Sequence, residues 1–163
     1  MAAFRAATGS TSQSRYIGPV ATAVQIVFDC ADPGTLATFW AAALHYKLQD
    51  PPPGFDSWPA WLKAQGIPES EWNSASAVVD PEGRGPRIYF QRVPEGKVVK
   101  NRVHLDLNVG GPRTAPPEER RRGIDAEVDR LVALQARKVK ALEERGEYFV
   151  NMLDPEGNEF DVQ

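Results

Sequence analysis

The sequence predicts an α+β fold in which two tandem β-α-β-β-β modules follow one another along 163 residues. The first observation is a repeated turn, Asp-Pro-Glu-Gly, at 80–83 and again at 154–157. The second is that the apolar run at 24–28 is matched in place and pattern by the run at 103–107. A helical pattern and further strands then follow each run in the same order. We therefore interpret the chain as an internal duplication.

Module one is predicted to span residues 22–94 and to begin with a strand. The run at 22–30 is short and rich in β-branched and aromatic residues, as is typical of a strand. The pair Asp32-Pro33 predicts the start of a helix, because an aspartate caps the first turn and proline suits its first position. That helix is predicted to end near Leu44, and the later strands of the module are predicted at 45–50, 74–79 and 87–93.

Module two, residues 101–163, is predicted to repeat this order. The predicted strands lie at 102–109, 138–142, 147–153 and 158–163. A helix ending near Arg137 is predicted from one apolar stripe, formed by Ile124, Val128, Leu131 and Gln135. The repeated turn joins the last two strands of each module. Its proline presets φ at the second position, and its glycine accepts a positive φ at the fourth.

Residues 54–73 interrupt the pattern of module one and hold three of the four tryptophans, Trp58, Trp61 and Trp72. We predict a short helix near 58–65 within a long loop, and long loops are often functional. Two interpretations remain open for these tryptophans. In the first, they form an apolar wall or lid that binds a flat ligand; in the second, they attach the insertion to the core. The fourth tryptophan, Trp40, lies on the helix stripe and is predicted to be a core residue.

Composition and charge exclude several classes of protein. The net charge of −3 is spread over interleaved charges, so no electrostatic footprint for nucleic acid is expected. The only cysteine, Cys30, excludes an internal disulfide and a cysteine-based zinc site, and it is predicted to be a buried structural residue. No apolar run approaches the ~18 residues of a membrane span. Residues 1–20 lack a secretory pattern, so we predict a flexible tail, a single domain at 21–163 and a cytoplasmic location.

The predicted strands have one apolar face and one polar face. In the strand at 102–109, Leu105 and Leu107 point one way, whereas His104 and Asp106 point the other. A merely solvated face would carry a mixture of lysine, glutamate and threonine. These polar faces instead carry groups able to line a ligand cavity, namely Gln25, Tyr89, Gln91, His104, Asp106 and Asp161.

The paired modules resemble the vicinal oxygen chelate superfamily, especially its glyoxalase-like proteins of the actinobacterial type. The resemblance covers about 22–163 and is carried by "GPRIYFQRVPEGKVVKNRVHLDL" and "LDPEGNEFDV". It implies the glyoxalase/bleomycin resistance fold, with curved mixed sheets around a central cavity and helices outside. Relatives place two modules around each cavity, within one chain or across a dimer, so the resemblance leaves a homodimer open.

The resemblance further implies where a metal ion would bind. Metal-using members hold a divalent ion with two histidines and two carboxylates, and the matching positions in module two are His104 and Asp161. In module one the histidine position holds Gln25, and the carboxylate position falls near Tyr89 or Gln91. Because an amide oxygen is a poorer ligand than imidazole for transition metals, Gln25 and Gln91 are weak candidate ligands. We therefore expect either no metal cofactor or a weak site for Mg²⁺, Mn²⁺, Ni²⁺ or Zn²⁺.

The functional prediction is a glyoxalase-like protein that binds a small molecule in a cavity between its two modules. Its candidate ligand-binding residues are the six polar groups named above together with Trp58 and Trp61. The alternative is a metal-dependent lyase, isomerase or dioxygenase that acts on vicinal oxygens, with His104 and Asp161 as candidate catalytic residues. A third interpretation is a scaffold whose cavity is vestigial.

Overall fold

In the computed structural model, which describes residues 22–163, module one forms a four-stranded mixed sheet. The strand order is β1-β4-β3-β2, with β1 parallel to β4 and the other pairs antiparallel. Its elements are β1 (Ile26–Cys30), α1 (Pro33–Leu44), β2 (Lys47–Leu48), α2 (Trp58–Ala64), a 3-10 turn (Glu69–Glu71), β3 (Ala75–Val79) and β4 (Ile88–Arg92). The tail predicted at 1–20 lies outside the described residues.

Module two forms a second four-stranded sheet with the same topology. Its order is β5-β8-β7-β6, and β5 is parallel to β8 as β1 is to β4. Its elements are β5 (Asp106–Leu107), α3 (Pro117–Ala133), β6 (Arg137–Glu144), β7 (Glu147–Leu153) and β8 (Glu159–Val162). The identical strand orders confirm the predicted fold class of two tandem β-α-β-β-β modules. These two sheets do not close into a barrel.

The repeated turns adopt the same geometry in both modules. Gly83 has φ 67° and Gly157 has φ 88°, which are left-handed values that glycine adopts without steric cost. The glycine N–H donates to the carbonyl of the aspartate three residues earlier, at 3.0 Å in the first turn and 2.9 Å in the second. The side chains of Asp80 and Asp154 also accept from the backbone N–H two residues on. This local chemistry explains why the same four residues make the same turn twice.

Helix α3 ends earlier than its apolar stripe predicts. The predicted end was near Arg137 and included Gln135 in the stripe, but the helix ends at Ala133 and Gln135 is exposed. Gln135 has φ 79°, and the N–H of Ala136 donates to the carbonyl of Leu131 at 3.0 Å. This contact satisfies a terminal carbonyl and turns the chain into β6. The prediction for Gln135 was therefore wrong.

The first strand of module two is also shorter than predicted. Residues 102–109 were expected to form it, but regular pairing is confined to Asp106 and Leu107, which face Asp161 and Val162 of β8. Strand β5 lies at the edge of its sheet and has β8 as its one neighbour among the described strands. Val103, at the start of the predicted strand, is 80% exposed. Residues 102–104 therefore present their side chains to solvent, whereas Leu105 packs against the core.

Both modules contribute to one hydrophobic core, and helix α1 lies at its centre. The Trp40 ring is 1% exposed and lies 5.3 Å from the Phe28 ring of β1 and 5.2 Å from the Phe160 ring of β8. Phe90 of β4 belongs to the same core. Because strand side chains alternate, the polar side chains between these residues lie on the opposite side of each sheet from the core. The two polar faces consequently do not face each other across it.

The second repeated turn also joins the modules directly. The Glu156 carboxylate accepts from the N–H of Ala31, at 2.8 and 3.1 Å, and from the N–H of Asp32, at 2.7 Å. Asp32 itself caps α1 by accepting from the N–H of Thr35 at 3.2 Å, as predicted. Glutamate at this position thus holds module two against the start of α1. Within residues 22–163, no helix combines the length and the hydropathy needed to cross a bilayer.

Candidate functional site

The polar face of module one carries a cavity of about 470 Å³, here called the tryptophan cavity. The insertion supplies one wall, and strands β2, β3 and β4 with their flanking residues supply the floor. The side chains that shape it are Trp58, Trp61, Trp72, Gln49, Arg87 and Tyr89. All of its lining residues fall between 34 and 89. The tryptophan cavity therefore belongs to module one alone, and the expected ligand cavity between the two modules stays a prediction.

The three tryptophans of the insertion line this cavity and take no part in the main core of the described chain. The Trp58 indole N–H donates to the carbonyl of Gln49 at 2.7 Å, and the Trp72 indole N–H donates to the carbonyl of Ile67 at 2.9 Å. The Trp58 and Trp61 rings meet edge to face at 5.5 Å. With their N–H groups bonded to backbone, Trp58 and Trp72 offer the cavity apolar ring surface. The interpretation of the insertion as a wall is thus the one the geometry favours. Trp40, in contrast, is a core residue as predicted.

Arg87 lies at the floor of the tryptophan cavity and was missed in the sequence analysis. Its Nε donates to the side-chain oxygen of Gln49 at 2.7 Å, and its Nη1 donates to the side-chain oxygen of Gln25. Its guanidinium lies 5.0 Å from the centre of the Tyr89 ring. A signal did exist, since Arg87 precedes Tyr89 by two positions and so shares its face of the strand. Gln25 therefore contacts the cavity through Arg87, while Tyr89 lines it directly.

Gln91 takes a different role from the cavity residues. Its side-chain N–H donates to the Asp29 carboxylate at 2.9 Å, across the parallel pair of β4 and β1. It does not belong to the lining of the tryptophan cavity. The amide groups of both Gln25 and Gln91 are thus engaged within module one.

The polar face of module two carries a second cluster, formed by His104, Asp106 and Asp161. The His104 Nε2 lies 3.2 Å from an Asp106 oxygen and 3.6 Å from an Asp161 oxygen, and one ligand atom from each residue lies within 4.8 Å of the others. Asn151 donates to the second Asp161 oxygen at 2.6 Å. His104 and Asp106 are more than two-fifths exposed, whereas Asp161 is 17% exposed. One imidazole and two carboxylates fit a divalent ion of moderate affinity.

A groove of about 420 Å³ does lie between the modules, on the helical side of the molecule. It is lined by Thr38 and Phe39 of α1, by Leu134 after α3 and by Pro155 of the second repeated turn. None of the predicted ligand residues, all of which the structure describes, lines it. The predicted site residues are instead divided between the polar faces of the two sheets.

Comparisons with known proteins agree with this architecture. A family model described as a glyoxalase-like domain matches residues 25–163. No curated protein sequence matches the chain. A glyoxalase/bleomycin resistance protein/dioxygenase family enzyme from Burkholderia phytofirmans is 16% identical, with a TM-score of 0.53 over 85% of this chain and 94% of that chain.

Two further solved structures show the same likeness. A mutant of the fosfomycin resistance protein FosX from Listeria monocytogenes, complexed with Mn(II) and 1S,2S-dihydroxypropylphosphonic acid, is 12% identical. Its TM-score is 0.55 over 89% of this chain and 90% of that chain. A possible glyoxalase from Bacillus cereus is 12% identical, with a TM-score of 0.54 over 88% and 99%. The structural likenesses show the fold, and the family match over 25–163 shows that this chain belongs to the glyoxalase-like domain family of the vicinal oxygen chelate superfamily.

Proposed function

We propose that this protein binds a small, flat organic molecule in the tryptophan cavity. The observation that carries the proposal is the enclosure of about 470 Å³ by three tryptophans on one side and polar groups of the sheet on the other. Ligand cavities are typically about 300–1,000 Å³, mostly apolar, with a few convergent polar groups. This cavity has the same composition and size.

The character of its wall favours a flat ligand. Aromatic rings bind other rings by offset stacking or by edge-to-face contact. Trp58 and Trp61 already make one such contact and leave further ring surface directed at the cavity, where Leu62 and Ile67 add aliphatic surface. A one- or two-ring compound would contact both kinds of surface, whereas a strongly hydrated sugar-like molecule would leave these apolar surfaces uncovered.

The experiment is a fragment screen of one- and two-ring compounds by saturation-transfer NMR, followed by calorimetric titration of the binders. Trp61→Ala removes one ring from the wall and should weaken binding by about 10- to 100-fold, since burial of a large side chain contributes about 1.5–3 kcal/mol. Phe149→Ala, which removes a partly buried ring from module two, is the matched control and should leave the affinity unchanged. Equal affinities for Trp61→Ala and the unmodified protein would contradict the proposal.

A second candidate function rests on the cluster His104, Asp106 and Asp161. We infer that these three side chains would hold a divalent ion, with Asn151 fixing the orientation of Asp161. A bound ion there would supply Lewis-acid polarisation of vicinal oxygens, the chemistry of a lyase, isomerase or dioxygenase. The structural relative FosX is complexed with Mn(II), which supports testing that ion first.

Metal binding is measured by thermal unfolding with Mn²⁺, Ni²⁺ or Zn²⁺. A site in this cluster should raise the melting temperature in the unmodified protein and should lose that effect in His104→Ala and Asp161→Asn. Asp129→Asn, a change of an exposed carboxylate on α3, is the control. An unchanged melting temperature with all three ions at millimolar concentration would contradict the metal site. The proposed binding of a small molecule would then be the function that remains.

We further propose that the protein forms a homodimer. The residues around the starts of both first strands expose apolar side chains in the single chain: Val24 is 70% exposed, Val27 is 49% and Val103 is 80%. Association would remove these side chains from water. Sedimentation velocity over a concentration series tests this, and Val103→Asp should shift the species toward the monomer. A single monomeric species at all concentrations would refute it.

A further inference from the structure

We propose that the ligand of the tryptophan cavity is an aromatic monocarboxylate, held by its anion on Arg87 and by its ring against the tryptophans. This inference rests on the proposed function, because it names the chemical class that the same cavity selects. The starting observation is that, among residues 22–163, Arg87 is the one lining residue with a full charge. No aspartate or glutamate of that part of the chain lines the cavity.

The burial of Arg87 without an acidic partner sets it apart from comparable residues. In the described part of the chain, 22–163, three arginines are partly buried: Arg87, Arg120 and Arg130. Arg120 pairs with Glu147 at 2.9 Å, and Arg130 pairs with Glu127 at 2.6 Å. For Arg87, no carboxylate of the described residues lies within 4.0 Å of the guanidinium.

The partners that Arg87 does have orient its charge without neutralising it. Gln49 and Gln25 each accept one N–H through a neutral amide oxygen, and the guanidinium lies near the face of Tyr89. A guanidinium has five N–H donors, so three remain without a protein acceptor among residues 22–163. Arg87 is therefore held in one orientation with donors left for a planar anion, and a carboxylate matches that fork.

One residue connects the cation to the aromatic wall. The side chain of Gln49 accepts from Arg87, while the backbone carbonyl of Gln49 accepts from the indole N–H of Trp58. Arg87, the anion-binding group, and Trp58 are thus both hydrogen-bonded to Gln49. A ligand whose carboxylate meets Arg87 places an attached ring beside Trp58. This proximity favours an aryl acid over a simple inorganic anion, which would leave the ring surfaces uncovered.

The test compares two probes of the same shape, 2-naphthoate and 2-naphthamide, by isothermal titration calorimetry with the full chain. A charge-assisted hydrogen bond strengthens binding by about 10- to 100-fold, so the acid should bind more tightly than the amide by that factor. Arg87→Met should reduce the affinity for the acid to that of the amide and leave the amide within about twofold. Arg87→Lys, which keeps the charge but not the planar fork, should fall between the two.

The control is Arg92→Met, on the same strand, where the arginine pairs with Glu71 at 2.8 Å and does not line the cavity. It should leave binding of both probes unchanged. Equal affinities of the unmodified protein for acid and amide would overturn the anion inference while the binding function stands. Equal weakening of both probes by Arg87→Met would overturn it too, since Arg87 would then only shape the cavity. Failure of the acid and the amide alike to bind would overturn the inference, and failure of the whole fragment screen would overturn the binding function as well.

Discussion

The buried carboxylate of Asp154 gives the sharpest stability prediction. This residue is fully buried, and its two oxygens accept from five donor contacts made by the backbone N–H groups of Glu156 and Asn158, the Asn158 side chain and the indole of Trp40. The indole contact is 3.2 Å long and crosses from module two to module one. We predict that Asp154→Asn destabilises the protein although it preserves the shape of the side chain.

The magnitude follows from the donors that the amide cannot accept. The amide oxygen best replaces Oδ1, which accepts from both backbone N–H groups, so the amide nitrogen replaces Oδ2 and faces Trp40. Asn158 can turn away, but Trp40 is held by the rings of Phe28, Phe39 and Phe160. The indole N–H and the amide N–H that faces it are then two buried donors without an acceptor, and each costs about 1–3 kcal/mol. Burial raises the pKa of Asp154 above its usual range, so desolvation already offsets part of the favourable charge, and we expect a loss near the lower end of that sum, about 2 kcal/mol.

The assay is urea unfolding at neutral pH, followed by circular dichroism. The matched control is Asp80→Asn in the first repeated turn, where the aspartate accepts from Glu82, Arg84 and Gly85 within reach of solvent. Water can replace those contacts, so the control should lose less stability than Asp154→Asn.

A double-mutant cycle then isolates the indole contact. Trp40→Phe removes the donor, so adding Asp154→Asn to it should cost less than in the unmodified protein. An equal cost in both backgrounds, or a loss no greater than that of Asp80→Asn, would refute the reasoning.

Three further predictions concern single side chains. Glu156→Gln should lower the free energy of unfolding in urea by about 1 kcal/mol, because a neutral oxygen replaces the charged acceptor at the start of α1. Glu82→Gln in the exposed first turn should cost less. Equal losses would contradict the role of Glu156 as a clamp between module two and the start of α1. For Glu159, burial opposes ionisation, but an N–H donor and the Lys97 ammonium lower its pKa from about 4.5 to about 2. A lowered pKa gives stability that is present above pH 4.5 and lost as the pH falls toward 2. The free energy of unfolding of Glu159→Gln should therefore lie below that of the unmodified protein at pH 4.5 and approach it as the pH falls toward 2. A difference that stays constant over this window would contradict the prediction. Burial is the main cause, with nearby carboxylates, that raises the pKa of Cys30 to about 12. The thiol of the folded protein should therefore not react with a disulfide reagent at about pH 8, but it should react once the protein is unfolded. Rapid labelling of the folded protein would contradict this prediction.

Local chemistry explains why most of the fold could be predicted from the sequence. The repeated turns and the Asp32 cap depend on residues within a few positions of one another, so their geometry is encoded where they occur. The end of α3 depends instead on Gln135 adopting a left-handed conformation, which sequence patterns normally assign to glycine. The length of β5 depends on its neighbour in the sheet, which no local pattern reveals.

The candidate site was less predictable because it depends on which faces meet. Alternation correctly separated polar from apolar faces, but it could not show that Trp40 and Phe160 join the two modules through their apolar sides. Arg87 was missed because an arginine at the start of a strand usually reaches solvent. Its significance lies in the absence of a carboxylate partner among the described residues, and only the folded chain establishes that.

The clamp made by Glu156 has a consequence for how the protein is made. A ribosome releases Asp32 well before Glu156, which follows it by 124 positions. Until then, the two amide groups ahead of the first helix lack their acceptor, and Trp40 lacks the Asp154 carboxylate as well. The N-terminal half therefore cannot complete these contacts until the segment around Glu156 has been synthesised and has folded onto it.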